Sequence, residues 1–331
     1  MAIHNTSYQH WDGVHLGIWR RRGVVAGSSL TACLRNKWMV NLIVVCWSTA
    51  LAAAGILFLV GQLLVADSIV VQWVSNFNPE LQQFVKLLTT WLEQHPQISV
   101  RTTQNVAFYF YAMFLLRFSI FALGMAMPLL ITRDLASNAI VVYSAKAINR
   151  GDYVLGKFCA AFGLLTMTWL GPVCAAWLVG NLLAPDWGFF WHSRAALAHL
   201  LLFGFIALTS LSVLALGISA CSVKEKSTVA IWMMWWVLGG VVTPIATHTQ
   251  PWLRHVSFNY NLQQIALAIF GPGTDLKVAQ DTIPLLSTMM SNVHPETMEA
   301  LNAPTIWGAV VAMILMLGGA AYVIWQRVKP E

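Results

Sequence analysis

An all-α polytopic membrane protein with six transmembrane helices is the fold predicted by three features of this 331-residue chain. Hydrophobic residues make up 58% of it and charged residues only 10%, against roughly 25% charged in soluble domains. The apolar residues gather into six long runs, on the scale of the ~20 residues that cross a bilayer core. The Lys and Arg residues that give the net charge of +6 cluster at the ends of those runs, as topology signals do. That placement points to membrane lipid as the surroundings and to no nucleic-acid partner.

Residues 1–37 read as a cytoplasmic tail and an interfacial helix. Arg20, Arg21, Arg22, Arg35 and Lys37 flank a mildly apolar stretch at 24–34, the pattern of a helix lying on a membrane face. The polar start and the late first apolar run do not match a cleavable signal peptide. The six-span domain covers 38–326, with spans at about 38–64, 106–131, 158–183, 195–220, 228–245 and 305–325. After the first span, the extracytoplasmic segment 66–104 places Leu81, Phe84, Val85, Leu88 and Trp91 at helical spacing.

The second span contains Arg117. A charge at that depth is expensive and is expected to face the bundle interior or water. It reads either as a pathway or gate residue or as a structural Arg with a partner. Pro172 is expected to kink the third span, because its ring removes a backbone donor. Trp187, Phe189, Phe190 and Trp191 form an aromatic cluster before the fourth span, which is rich in Gly, Ser and Thr and suited to close helix packing. A basic turn at 224–227 leads to the fifth span. A second extracytoplasmic segment, 246–303, holds an amphipathic stretch at 255–270, and 327–331 is a cytoplasmic tail. With the N-terminus inside, thirteen Lys and Arg fall on inner segments and five on outer ones. This bias places both termini in the cytoplasm and the chain in the cytoplasmic (inner) membrane.

Between the second and third spans runs Thr132–Gly156, carrying Arg133, Asp134, Lys146, Arg150 and Asp152, with Lys157 next. A charged, turn-containing segment cannot lie in hydrocarbon. It reads as one or two short helices at the inner surface, a knob for a partner protein.

Catalytic chemistry is not legible. The five cysteines include no CxxC pair, and the nine histidines are scattered without a ligand motif. The spacing GxxxxGK occurs at 151–157, but Phe158 stands where a phosphate-binding loop needs Ser or Thr, and no strand precedes it. The chain reads as a non-enzyme without a metal or cofactor of its own.

From Asp134 to Pro172 the chain resembles the permease subunits of ABC-2-type exporters. Those proteins commonly carry a Ser, then Pro, an Arg, a Tyr and a Gly-Lys pair after the second span. Ser144, Arg150, Tyr153, Gly156 and Lys157 match that run, while Ala147 stands where the family often has Pro. Residues 253–271 also resemble the family's segment before its last outer loop. The resemblance implies a homodimer, or a dimer with a paralogous permease, joined to separate ABC ATPase subunits that bind ATP and Mg. It implies that the segment after the second span is a cytoplasmic coupling helix docked on the ATPase. Arg133, Asp134, Lys146, Arg150 and Asp152 would form the docking surface, with Tyr143 and Tyr153 as its apolar contacts. ATP-driven closure would then rock the permeases as rigid bodies. The alternative is a non-transporting scaffolding subunit of a larger membrane complex.

Overall fold

The structure, a computed structural model, describes residues 17–63, 94–139, 149–184, 187–248, 250–282 and 304–328, with isolated positions between 65 and 92 and at 301. No strand occurs among them. The helices are α1 (Ile18–Leu34), α2 (Lys37–Leu63), α3 (Pro96–Met127), α4 (Arg133–Ala136), α5 (Arg150–Leu165), α6 (Gly171–Leu182), α7 (Trp187–Cys221), α8 (Glu225–His248), α9 (Phe258–Phe270), α10 (Pro272–Thr282) and α11 (Ile306–Arg327). Single π turns, Pro128–Thr132 and Thr166–Leu170, join α3 to α4 and α5 to α6. Among the described residues, five continuous helices are long and apolar enough to cross a membrane: Lys37–Gln62, Pro96–Ala136, Arg150–Leu182, Trp187–Cys221 and Ile306–Arg327. This is the architecture of a multi-pass membrane protein. The expected fifth span, 228–245, lies within the 24-residue α8, which is not one of those five.

The helices outrun the expected spans. The second begins at Pro96 rather than near 106, the third at Arg150 rather than 158, and the fourth at Trp187 rather than 195. Proline suits the first turn of a helix, whose N–H groups have no intrahelical acceptor. The aromatic cluster before the fourth span is therefore helical. The segment between spans two and three shrinks from both ends. Arg133 and Asp134 prolong the second span's helix, and Arg150, Asp152 and Tyr153 begin the third. The chain leaves α4 at Asn138, whose φ of 53° is left-handed, a conformation Asn tolerates and most residues resist. Tyr143 and Lys146 lie outside the described residues, as does most of the amphipathic stretch at 79–92.

Both π turns adjoin prolines. Pro128 has no N–H to donate, and the π turn it opens leaves backbone groups to be satisfied from elsewhere. Ser219 of α7 supplies the partner: its hydroxyl accepts from the amides of Ile131 (2.9 Å) and Thr132 (3.1 Å) and lies 2.9 Å from the Met127 carbonyl. Ahead of Pro172 the second π turn frees the Met167 carbonyl, which accepts from Trp47 Nε1 at 3.1 Å.

At the centre stands α7, whose apolar stretch is 67% buried, whereas that of α11 is 11% buried. Small residues let the neighbours approach α7 closely, as the packing of membrane helices requires. A Cβ on Gly217 would lie 2.6 Å from Ala320 Cβ of α11, and one on Gly204 would lie 2.8 Å from the Trp169 ring. The first helix buries Val25, Ser29 and Cys33, spaced four apart on one face. Burial pushes the Cys33 thiol up to about 11, and Lys157 pulls more weakly the other way. Below that pH the thiol stays protonated, and only the thiolate is nucleophilic. Alkylation of Cys33 at pH 8 is therefore expected to be slow in the native protein and fast after denaturation, read by mass mapping.

Candidate functional site

The charged residues around the second and third spans converge at one end of the bundle into a latch that joins five helices. Its core is Asp134, in α4, the last turn of the continuous helix Pro96–Ala136. The Asp134 Oδ2 atom accepts from the Tyr153 hydroxyl at 2.7 Å and from Lys157 Nζ at 2.8 Å. The ammonium also donates to the Leu129 carbonyl in the π turn at 3.3 Å. Tyr153 is 3% exposed and the Lys157 side chain 6%, so this triad is largely shielded from water.

The N-terminal helix is fastened alongside. Arg22 reaches Asp152 through Nε at 2.7 Å and through Nη2 at 2.6 Å, both on Oδ1. The contact is possible because Gly156 lets α1 lie directly on α5. A Cβ at Gly156 would come within 2.8 Å of both Val25 Cβ and Val25 Cγ1.

Two further ties complete the latch. Arg133 Nε bonds Glu225 Oε1 of α8 at 2.9 Å, but both side chains are about half exposed, so this pair contributes about 1 kcal/mol at most. The Arg150 guanidinium lies 4.0 Å over the Trp325 ring of α11 and donates from Nη2 to the Ile324 carbonyl at 3.4 Å. Behind them, the Thr132 hydroxyl donates to the Ser219 carbonyl at 2.8 Å and lies 3.0 Å from the Thr228 hydroxyl.

The expected docking residues thus fall into three groups. Arg133 is exposed; Asp134, Asp152, Tyr153 and Arg150 are engaged within the chain; Tyr143 and Lys146 lie outside the described residues. Chemically the arrangement is a mechanical junction. No group of three or more metal-ligating side chains occurs among the described residues.

Of the two surroundings expected for Arg117, bundle interior or water, the first does not hold within this chain: it is exposed on the outer face, on a strip with Phe110, Phe114 and Phe121, each 44–55% exposed. It makes no hydrogen bond or ion pair with any described residue. The strip lies between α2, which Tyr111 meets through the Thr49 hydroxyl at 3.2 Å, and α8, whose Trp232 donates to the Ile120 carbonyl at 3.0 Å. It escaped sequence reading because α3 is apolar on nearly every side, so no polar stripe marks its orientation.

A second polar cluster, at the opposite end, was not anticipated. Buried Asn105 donates to Asp275 Oδ2 at 2.6 Å, Arg101 lies 3.5 Å from Asp275 Oδ1, and His199 Nδ1 lies 3.2 Å from Asn105 Oδ1. It ties α10 to α3 and α7. Its members lie up to 174 positions apart in the chain, Arg101 to Asp275, and only an isolated Asp after a Gly-Pro-Gly turn marks it in the sequence.

No protein-family model matches the chain, and no curated protein matches it.

Proposed function

We propose that this chain is the membrane-spanning permease subunit of an ATP-driven exporter of the ABC-2 type, coupled to a separate ATPase that binds ATP and Mg. One observation carries the reading: four of the five residues through which the chain resembles that family, Arg150, Tyr153, Gly156 and Lys157, take part in the latch, while Ser144 lies outside the described residues. A junction joining the N-terminal helix to the second, third and last membrane helices suits the transmission of a push made at one end. In this reading α8 is the fifth of six spans, α1 lies in the inner interface, and the latch end faces the cytoplasm with both termini. The segment between the second and third spans, with Tyr143 and Lys146, couples to the ATPase in this reading, and exposed Arg133 extends its docking surface. The pairs of Asp134 and Asp152 hold the helices that flank it.

Two such chains, or one and a paralogue, enclose a pathway along the Arg117 strip. Arg117 lies about midway along the helix Pro96–Ala136. Facing lipid there it costs about 2.5–3.5 kcal/mol by insertion scales, a cost that a water-filled pathway relieves. With the native cysteines replaced, Arg117→Cys in membranes is expected to react with a hydrophilic thiol reagent at least about tenfold faster than Leu315→Cys on the outer face of α11, given the dependence of thiol reactivity on access. Equal rates would remove Arg117 from the pathway.

The reading as a whole is tested by gentle purification of the tagged chain and identification of what accompanies it. A stoichiometric ATPase carrying a phosphate-binding loop supports it. A stable complex without an ATPase overturns it in favour of a scaffolding role.

A further inference from the structure

A cleft of about 340 Å³ opens between α5, α7 and α11 at the latch end, within the range of about 300–1,000 Å³ that holds a small ligand. Val154, Phe158, Leu216, Ala321 and Trp325 line it, and Arg150 is the only polar or charged side chain in its wall apart from the Trp325 indole N–H. It is not closed off, since Ala321 and Trp325 on its rim are exposed.

Arg150 is underused where it stands. Its Nε is shielded from water and has no hydrogen-bond partner among the described residues. Its one hydrogen bond among the described residues, to the Ile324 carbonyl, is long at 3.4 Å. Trp325 covers one face of the guanidinium at 4.0 Å, which holds the planar group in place without consuming its N–H donors. A fixed cation whose donors are underused among the described residues, at the edge of an apolar cleft, asks for an anionic oxygen attached to an apolar tail. Guanidinium and phosphate match in geometry and charge, and basic pockets between membrane helices near the headgroup level suit anionic lipids. A free phosphate would gain nothing from the apolar walls. A zwitterionic lipid would meet Arg150 with its own cation close by.

We propose that this cleft binds one acyl chain of an anionic phospholipid, with the phosphate on Arg150. The lipid would wedge between α5 and α11, the two helices Arg150 joins. The site requires only that the chain lie in a membrane and does not rest on the exporter reading.

The test is native mass spectrometry of the full chain in detergent, titrated with phosphatidylglycerol, with phosphatidylcholine of the same acyl chains, or with inorganic phosphate. Wild type is expected to retain one phosphatidylglycerol at about a tenfold lower concentration than phosphatidylcholine, with no displacement by phosphate. Arg150→Gln should abolish the preference. Ala321→Phe, a filling substitution on an exposed position of α11, should lower retention of both lipids and serves if Arg150→Gln does not fold. Equal retention of the two lipids by wild type would overturn the proposal. So would a phosphatidylglycerol preference unchanged in Arg150→Gln, lipid retention unchanged in Ala321→Phe, or displacement by inorganic phosphate.

Discussion

Replacing Lys157 by Ala is expected to cause the largest loss of stability of any single change in the latch. The Lys157 and Asp134 side chains are 6% and 16% exposed. Truncation leaves the carboxylate with the Tyr153 hydroxyl as its one partner among the described residues, in a site that water barely reaches. Breaking a buried pair from one side costs about 3–5 kcal/mol, whereas replacing both partners by neutral groups is often close to neutral. The double variant Asp134→Asn/Lys157→Met is therefore expected to recover most of the loss, because Tyr153 can donate to the new amide oxygen. The readout is the yield of monodisperse protein and the thermal midpoint in detergent. A double variant as unstable as the sum of its single changes would show that the ion pair is not what holds α4 to α5.

Gly156→Leu is expected to release the N-terminal helix. A side chain at 156 would be driven into Val25, whose Cβ and Cγ1 lie 2.8 Å from the nearest Cβ position, while the Arg22 carbonyl is 3.3 Å away. None of these atoms is the free end of a flexible chain. Overpacking of this kind costs about 1–3 kcal/mol, and displacement of α1 also breaks the Arg22–Asp152 pair. Cys33 reports the event: 3% exposed and shielded in the native chain, it should become reactive at pH 8 once α1 lifts. Gly27→Leu is the control, since nothing lies within 4 Å of a Cβ there. Equal Cys33 reactivity in wild type and Gly156→Leu would contradict the packing account.

Hydropathy located five long apolar helices because a run of apolar residues on the scale of the hydrocarbon thickness needs no tertiary information. It does not mark where a helix ends. Polar residues such as those from Pro96 to Gln104 are helical as well, because polarity by itself does not argue against a helix. The charges between the second and third spans were legible as a group, but their roles were not. Whether Asp152 faces a partner protein or Arg22, 130 residues earlier in the chain, depends on helix register and on the Gly156 contact. The Gly-Lys pair at 156–157 stood out as a motif, yet its physical meaning appears only in three dimensions: Gly156 admits α1, and Lys157 neutralises Asp134. Ser219 read as one more small residue in a packed helix. Its task of satisfying the π turn opened by Pro128 follows from a backbone irregularity that no local pattern announces.

The central claim is that the latch end docks on an ATP-hydrolysing subunit. The most direct measurement places a photocrosslinking residue at exposed Ser137, beside the latch, and a matched one at exposed Trp187 at the other end of the bundle. Irradiation in native membranes is expected to join the Ser137 variant, and not the Trp187 variant, to a protein with a nucleotide-binding loop, with an adduct yield that changes when ATP is added. Adducts from Ser137 only to lipid, or to a protein without ATPase activity, would contradict the account.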